Sequence, residues 1–313
     1  MIVGASSGIG RASAQAFARR GASLVLASRS REALEEVAAE CRVRGATAVV
    51  VPTDVSDEEQ VKRLVAEAVS AFGRIDVWVG AASVFSYGSF EDTPAEVFRQ
   101  QLETNLVGQV SSARAVLPVF RAQGGGNLIF VASIYSRVTS PYASGYITSK
   151  HGLIGFAEVL EQELRGSGIR ISSILPATID TPIYQAAANF TGQRVHPMPP
   201  SVSPHRVARA VVRVAKRPRR AVVVGRLQGS LIPLHEFLPG VYSHMVRPAM
   251  KLLALRGGSI EPSAGNVLRP EPELEAVTGS WRWPAAARLL PFAVLAAAIV
   301  AVRRRIRSRR AAS

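Results

Sequence analysis

Tyr146 and Lys150 stand four residues apart in "YITSK" (146–150). On a helix, residues i and i+4 share a face. A lysine charge held near the phenol oxygen favours phenolate. It would draw the tyrosine down from its usual pKa of about 10, toward values at which it exchanges protons near neutrality. Proton transfer to or from a substrate oxygen is the chemistry open to such a pair. Pairs of this kind also decorate helical surfaces by chance, so the residues around it decide its meaning. A second constellation is "GASSGIG" (4–10), which follows the apolar "MIV" and precedes a helical stretch. Glycines at 4, 8 and 10 let the backbone pass close to a pyrophosphate, and the helix N-terminus beyond offers amide donors and a positive dipole end. The alternative for a lone glycine-rich loop is an ordinary strand–helix turn. Its place at the head of an α/β pattern favours nucleotide binding.

That pattern runs through the first 225 residues. "SLVLAS" (23–28), "TAVVVP" (47–52), "IDVWVG" (75–80), "NLIFVAS" (127–133), "IRISSIL" (169–175) and "AVVVG" (221–225) read as strands. They are apolar nearly throughout, as strands buried on both faces must be. Stretches such as "REALEEVAAECRVRG" and "DEEQVKRLVAEAVSAFG" lie between them, with apolar residues at helical spacing and a closing glycine. Strands alternating with helices predict an α/β fold, a doubly wound parallel sheet with helices on both faces.

Composition narrows the function. Of the 313 residues, 48% are hydrophobic and 19% charged, enough for a large core and against global disorder. The single cysteine, Cys41, permits no intrachain disulfide and sits in no Cys/His cluster, so no metal is expected. The net charge of +15 raises nucleic acid as a partner. Its distribution argues against one: six arginines crowd residues 303–313 and eight basic residues lie between Arg206 and Arg226, with no interleaved aromatics or zinc-finger spacing. An anionic membrane surface suits these clusters better. The stretch 204–217 reads as an amphipathic helix, more simply a domain helix with a solvated basic face than a membrane contact.

The Gly-x-x-x-Gly-x-Gly spacing at Gly4, Gly8 and Gly10 resembles that of the short-chain dehydrogenases/reductases, in their smaller non-extended form. The resemblance covers roughly residues 1–225, and its motifs fall in family order. It implies a Rossmann-type sheet and a catalytic quartet. Ser133 closes the strand "NLIFVAS", Tyr146 follows thirteen residues later with Lys150 beyond it, and Asn105 sits in "LETNLVGQ". In the roles so implied, Tyr146 exchanges the proton and Ser133 holds the same substrate oxygen. Lys150 lowers the tyrosine pKa and grips the nicotinamide ribose, and Asn105 positions a relay water. The resemblance also implies cofactor contacts from Gly4, Ser6, Ser7, Gly8, Ile9, Gly10, Asp54, Val55, Ala81, Ile179 and Thr181. At the end of the second strand Ser28 and Arg29 stand where a carboxylate would select NAD(H), so NADP(H) is the expected cofactor. The expected reaction interconverts an alcohol and a ketone or aldehyde. A non-catalytic nucleotide-binding protein with a decayed site is the alternative.

Three positions depart from the family pattern. Only three residues precede Gly4, which makes the first strand look truncated, as by a late start. Val3 replaces the usual threonine, and "VGAA" (79–82) replaces an asparagine-containing turn. The variable lid falls at 183–206, where Tyr184, Phe190 and Met198 favour an apolar substrate. Family members assemble through helix faces, so a homo-oligomer is possible.

The expected organisation is one domain over 1–256, a Gly/Pro/Ser/Glu-rich linker over 257–280, a hydrophobic membrane segment over 281–302 and a basic tail over 303–313. The fourteen uncharged residues 289–302 reach about 21 Å as a helix, short of a roughly 30 Å hydrocarbon core. The tail arginines and a cofactor-dependent domain both belong on the cytoplasmic face of a membrane, which fits a peripheral contact through 281–313 better than a simple span.

Overall fold

The computed structural model describes residues 1–271 and 274–281. Seven strands form one parallel sheet: β1 (Ile2–Val3), β2 (Leu24–Ala27), β3 (Ala48–Val50), β4 (Val77–Gly80), β5 (Gly126–Val131), β6 (Ile169–Pro176) and β7 (Ala221–Val224). Their order across the sheet is β7-β6-β5-β4-β1-β2-β3. The chain winds outward from β1 to β3, returns to β4 on the other side of β1, and winds outward again. That reversal leaves a crevice at the carboxyl ends of β1 and β4, where open α/β sheets bind ligands.

Helices α1 (Gly8–Ala18) and α2 (Arg31–Val43) cover one face of the sheet. There Leu34, Val37 and Ala38 pack on Ile2, Leu26 and Val79. The other face carries α3 (Glu58–Phe72), α4 (Ala95–Leu102), α5 (Gly108–Ala122) and α6 (Ser144–Glu163). Leu64, Phe120 and Leu153 meet Trp78 and Phe130 in its core, all fully buried. Each such side chain contributes about 1.5–3 kcal/mol on leaving water. Local signals set the helix ends. Ser30 and Asp57 cap α2 and α3 by accepting from Ala33 and Gln60 amides, and α3 stops at Gly73 in the left-handed region. Helix α7 (Pro204–Lys216) buries Val207, Val211 and Val214 against α1 and the sheet, so the basic stretch is a domain helix.

The central strand is short, in keeping with the few residues that precede Gly4. β1 is two residues long, yet it pairs with both β2 and β4, and the Met1 amino group donates to Val77 O at 2.8 Å. Burial lowers that amine to about 5.

A departure from expectation is the stretch expected as a linker, 257–280, whose described residues are laid against the domain. Leu255–Ser259 pairs with Gln193–Val195, Ser263 pairs with Asn189, and the chain then crosses to α1, where Ala276 O accepts from Gly8 N at 2.8 Å. Before it, α8 (Leu231–Phe237) and α9 (Pro239–Ala249) form a helical cap where the sequence pattern is loose. Both carry an internal proline and bury little: Tyr242 alone is buried in α9 and no residue in α8. Among the described residues no helix is long and apolar enough to cross a membrane. Apart from Trp281, the expected membrane segment and basic tail lie outside the described residues.

Candidate active site

The glycine turn is shaped by backbone contact. Gly4 has φ +81°, and a Cβ there would lie 2.4 Å from the Ala82 amide nitrogen. A Cβ on Gly10 would lie 1.8 Å from Gly4 O. Only glycine permits this packing of β1, α1 and the turn after β4. Ser7 precedes α1 without a side-chain capping bond, and the first amide of the helix, Gly8 N, is taken by Ala276 O of the C-terminal segment. The "VGAA" turn is braced from below: Gln109 on α5 is buried beneath it and donates from Nε2 to Ala82 O at 3.4 Å.

A crevice of about 600 Å³ opens above this turn. Its walls include the turn residues Gly4, Ser6, Ser7, Gly8, Ile9 and Gly10, with Ser28 and Arg29 beyond β2 and Asp54 and Val55 beyond β3. Ala81 follows β4, Ile179 and Thr181 follow β6, and Ser133, Tyr146 and Lys150 complete the inner end. Asp54 is partly committed, since its Oδ1 accepts from the Ser56 amide and hydroxyl at 2.9 and 2.6 Å. Arg29 donates from Nη2 to Asn266 O at 2.8 Å, so it is tied to the C-terminal segment and does not stand free at the surface.

Tyr146 is 7% exposed, its ring tilted on Phe85 at 4.1 Å and meeting Tyr135 edge-on at 6.2 Å. Ser133 and Ser83 line the crevice beside its phenol, and the Ser83 Oγ is buried without a hydrogen-bond partner. Lys150 is fully buried; its Nζ donates to Val131 O at 3.1 Å and lies 5.4 Å from the Tyr146 ring centroid. Without ligand, the electrostatics run opposite to the sequence expectation. Burial raises the Tyr146 pKa, the two serine hydroxyls only partly offsetting it, and burial lowers Lys150 to about 7. The expected lysine-driven fall is missing because desolvation dominates both groups.

Asn105 lies in a π-helical turn, Glu103–Val107, between α4 and α5. Such turns recur at functional sites. Its Oδ1 accepts from Val84 N at 2.8 Å, and its Nδ2 donates to Val84 O at 2.9 Å and Ser149 Oγ at 3.2 Å. The side chain therefore locks the loop after β4 onto α6. It is not among the residues lining the crevice.

The outer part of the crevice is apolar. Phe85, Tyr184, Met198, Leu231, Met245 and Met250 line it. Of the lid residues expected to do so, Phe190 is instead packed beside Val84, Val97 and Val267. Gln228 ties the lid down: its Nε2 donates to Met198 O at 3.1 Å and to Thr178 Oγ1 at 2.9 Å, and its Oε1 accepts from Thr178 N at 3.0 Å. Sequence reasoning missed Ser83, Gln109, Gln228, the α8–α9 cap and the wall from the C-terminal segment. Each depends on a contact distant in sequence, and none belongs to a motif with fixed spacing.

Fold and crevice are those of a Rossmann-type nucleotide-binding α/β protein. The family model described as short chain dehydrogenase matches residues 1–191, and the chain belongs to that family. An uncharacterized oxidoreductase of Staphylococcus haemolyticus is 34% identical over 70% of this chain and 90% of its own. An alcohol dehydrogenase from the archaeon Thermococcus sibiricus, solved with 5-hydroxy-NADP, is 28% identical with a TM-score of 0.63, covering 71% of this chain and 94% of that one. A short chain dehydrogenase/reductase from Burkholderia phymatum, solved with NAD, shares the fold at 24% identity and a TM-score of 0.70, over 77% and 93% of the two chains.

Proposed function

We propose that the protein is an NAD(P)(H)-dependent oxidoreductase that interconverts an alcohol and a ketone or aldehyde, with Tyr146 as the proton-exchanging residue. One observation carries the reading: Tyr146, with Ser133 and Ser83, lines the same crevice as the glycine turn. The residues present fit a dinucleotide. Gly4 and Gly10 allow close backbone approach, Ser7 puts no side-chain cap on α1, and Arg29 and Ser28 supply a cation and a hydroxyl for the adenosine end. Ser28 and Arg29 favour NADP(H) over NAD(H). When bound, the nicotinamide supplies or accepts the hydride.

The chain's own groups do the rest. During reduction Tyr146 donates its proton to the carbonyl oxygen, and during oxidation it takes one from the alcohol. Ser133 and Ser83 hydrogen-bond the same region and orient the oxygen. Lys150 is held by Val131 O within one helical turn of the phenol, so a proton on it would favour phenolate. Asn105 acts as a positioning residue by fixing the loop that carries Ser83 and Phe85. The apolar outer wall favours an apolar substrate. A decayed site is disfavoured by the shared placement of Ser133, Tyr146 and Lys150. Tyr146→Phe should abolish carbonyl reduction while NADPH binding stays within about twofold, since the phenol oxygen acts in the transition state. Full activity in that variant would sink the assignment. The same reading places the protein at the cytoplasmic face of a membrane, held through residues 281–313.

A further inference from the structure

Asn266, Pro270, Glu271, Leu274 and Glu275 line one side of the crevice, and Glu275 brings a carboxylate beside Ser30 at the end of β2. The described residues of this stretch are tied down at several points. Asn266 O accepts from Arg29, Glu275 O accepts from Arg11 Nη1 at 2.7 Å, and Ala276 O accepts from Gly8 N. Val277 packs against Ala12, Ala16, Ala208 and Val212, and Asp180 Oδ1 accepts from the Gly279 and Trp281 amides at 3.1 and 3.0 Å. The backbone around Glu275 is thereby held over the start of α1, and Glu275 itself lines the crevice. Its carboxyl faces the hydroxyls of Ser6 and Ser30, with the charges of Arg29 and Arg11 nearby. Its Oε2 is buried without a hydrogen-bond partner.

Ser28, Arg29 and Ser30 follow β2, the place where a doubly wound fold reads the adenosine ribose. A 2′-phosphate there would draw on Arg29 and the neighbouring hydroxyls. Those groups already face a carboxylate, and two anions at one partly buried site repel. A ribose 2′-OH is the opposite case. It carries no charge, and it can donate to an acceptor that now lacks a donor.

We infer that Glu275, supplied by the C-terminal segment and not by the strand end, is a cofactor-selecting residue that penalises NADP(H) relative to NAD(H). It opposes the preference that Ser28 and Arg29 establish. The inference rests on the crevice taking a dinucleotide, as proposed above.

The test is a fluorescence titration of NADPH and of NADH against the full chain, the parent beside Glu275→Gln. The isosteric amide removes the charge and keeps the shape. The ratio of the NADH to the NADPH dissociation constant should rise about tenfold or more in the variant, through tighter NADPH binding. If Glu275→Gln melts well below the parent, Glu275→Ala serves and the same rise is expected. A ratio unchanged within about twofold, with both cofactors still binding, overturns the inference and leaves the cofactor reading intact. No binding of either dinucleotide by the folded parent overturns that reading and the selecting role with it.

Discussion

Lys150 should destabilise the ligand-free fold, and the cost can be worked from its burial. Its ordinary pKa of 10.5 falls to about 7 because no acidic partner compensates the loss of water. The unfolded chain keeps the lysine proton up to 10.5, whereas the fold releases it near 7. Between those values the unfolded state binds the extra proton, so stability rises with pH across this window. Below pH 7 the penalty is complete, about 5 kcal/mol at 1.36 kcal/mol per pH unit. At pH 8 it is about 3 kcal/mol, and by pH 10 it is under about 1 kcal/mol. Lys150→Met keeps the length and apolar stem but removes the amine. It also deprives Val131 O of its donor, at a cost of about 1 kcal/mol. The variant should therefore be more stable than the parent by about 2 kcal/mol at pH 8, and no more stable at pH 10. Urea unfolding followed by tryptophan fluorescence reads this directly, since Trp78 is fully buried in the core. Subtracting parent from variant cancels other titrating groups, the Met1 amine among them. A variant less stable at pH 8, or a gap that does not change with pH, would refute the burial argument. Turnover should be lost in the same variant, the usual sign of a residue kept for function at the expense of stability.

Asn105→Ala removes three hydrogen bonds and leaves Val84 N buried without a partner, while Val84 O keeps the Gln101 Nε2 donor at 3.2 Å; it should cost about 2–3 kcal/mol and lower kcat through the displaced loop, as thermal melts and steady-state assays would show. A chain ending at Trp281 should stay free of anionic phosphatidylserine vesicles in a sedimentation assay while the full chain sediments with them. Equal sedimentation of the two would remove the case for membrane contact through the C-terminal residues.

Much of the fold was legible because its signals are local. Six of the seven strands show as apolar runs in the sequence, and Gly73 and Asp57 mark helix ends without help from distant residues. β1 was harder, since two residues carry no periodicity. Its place is set by pairing with β2 and β4. Ser133, Tyr146 and Lys150 were legible through spacing, because one strand end and one helix carry all three. The protonation tendency of Tyr146 and Lys150 was not. Spacing reports which groups are neighbours, whereas the pKa depends on how much water the surrounding fold removes. Phe85 and Tyr135, which crowd the phenol, belong to no motif.

The region after residue 256 shows why composition misleads at a crevice wall. Glycine, proline, serine and glutamate are the residues of a flexible linker, and by themselves they bury too little to fold. Here the order comes from outside the segment. Arg29, Arg11 and the Gly8 amide each take one of its carbonyl groups, and Asp180 takes two of its amides. A backbone ordered by hydrogen bonds to a neighbour needs no hydrophobic periodicity, so no pattern announces it. Two of those anchors, Gly8 and Arg29, also line the crevice proposed to take the cofactor. A ligand that competes for them must loosen the segment, and one that leaves them alone can bind beneath it. On the proposed reading, cofactor choice and the order of the C-terminal wall are coupled through the same few donors, and Glu275 is where that coupling carries a charge.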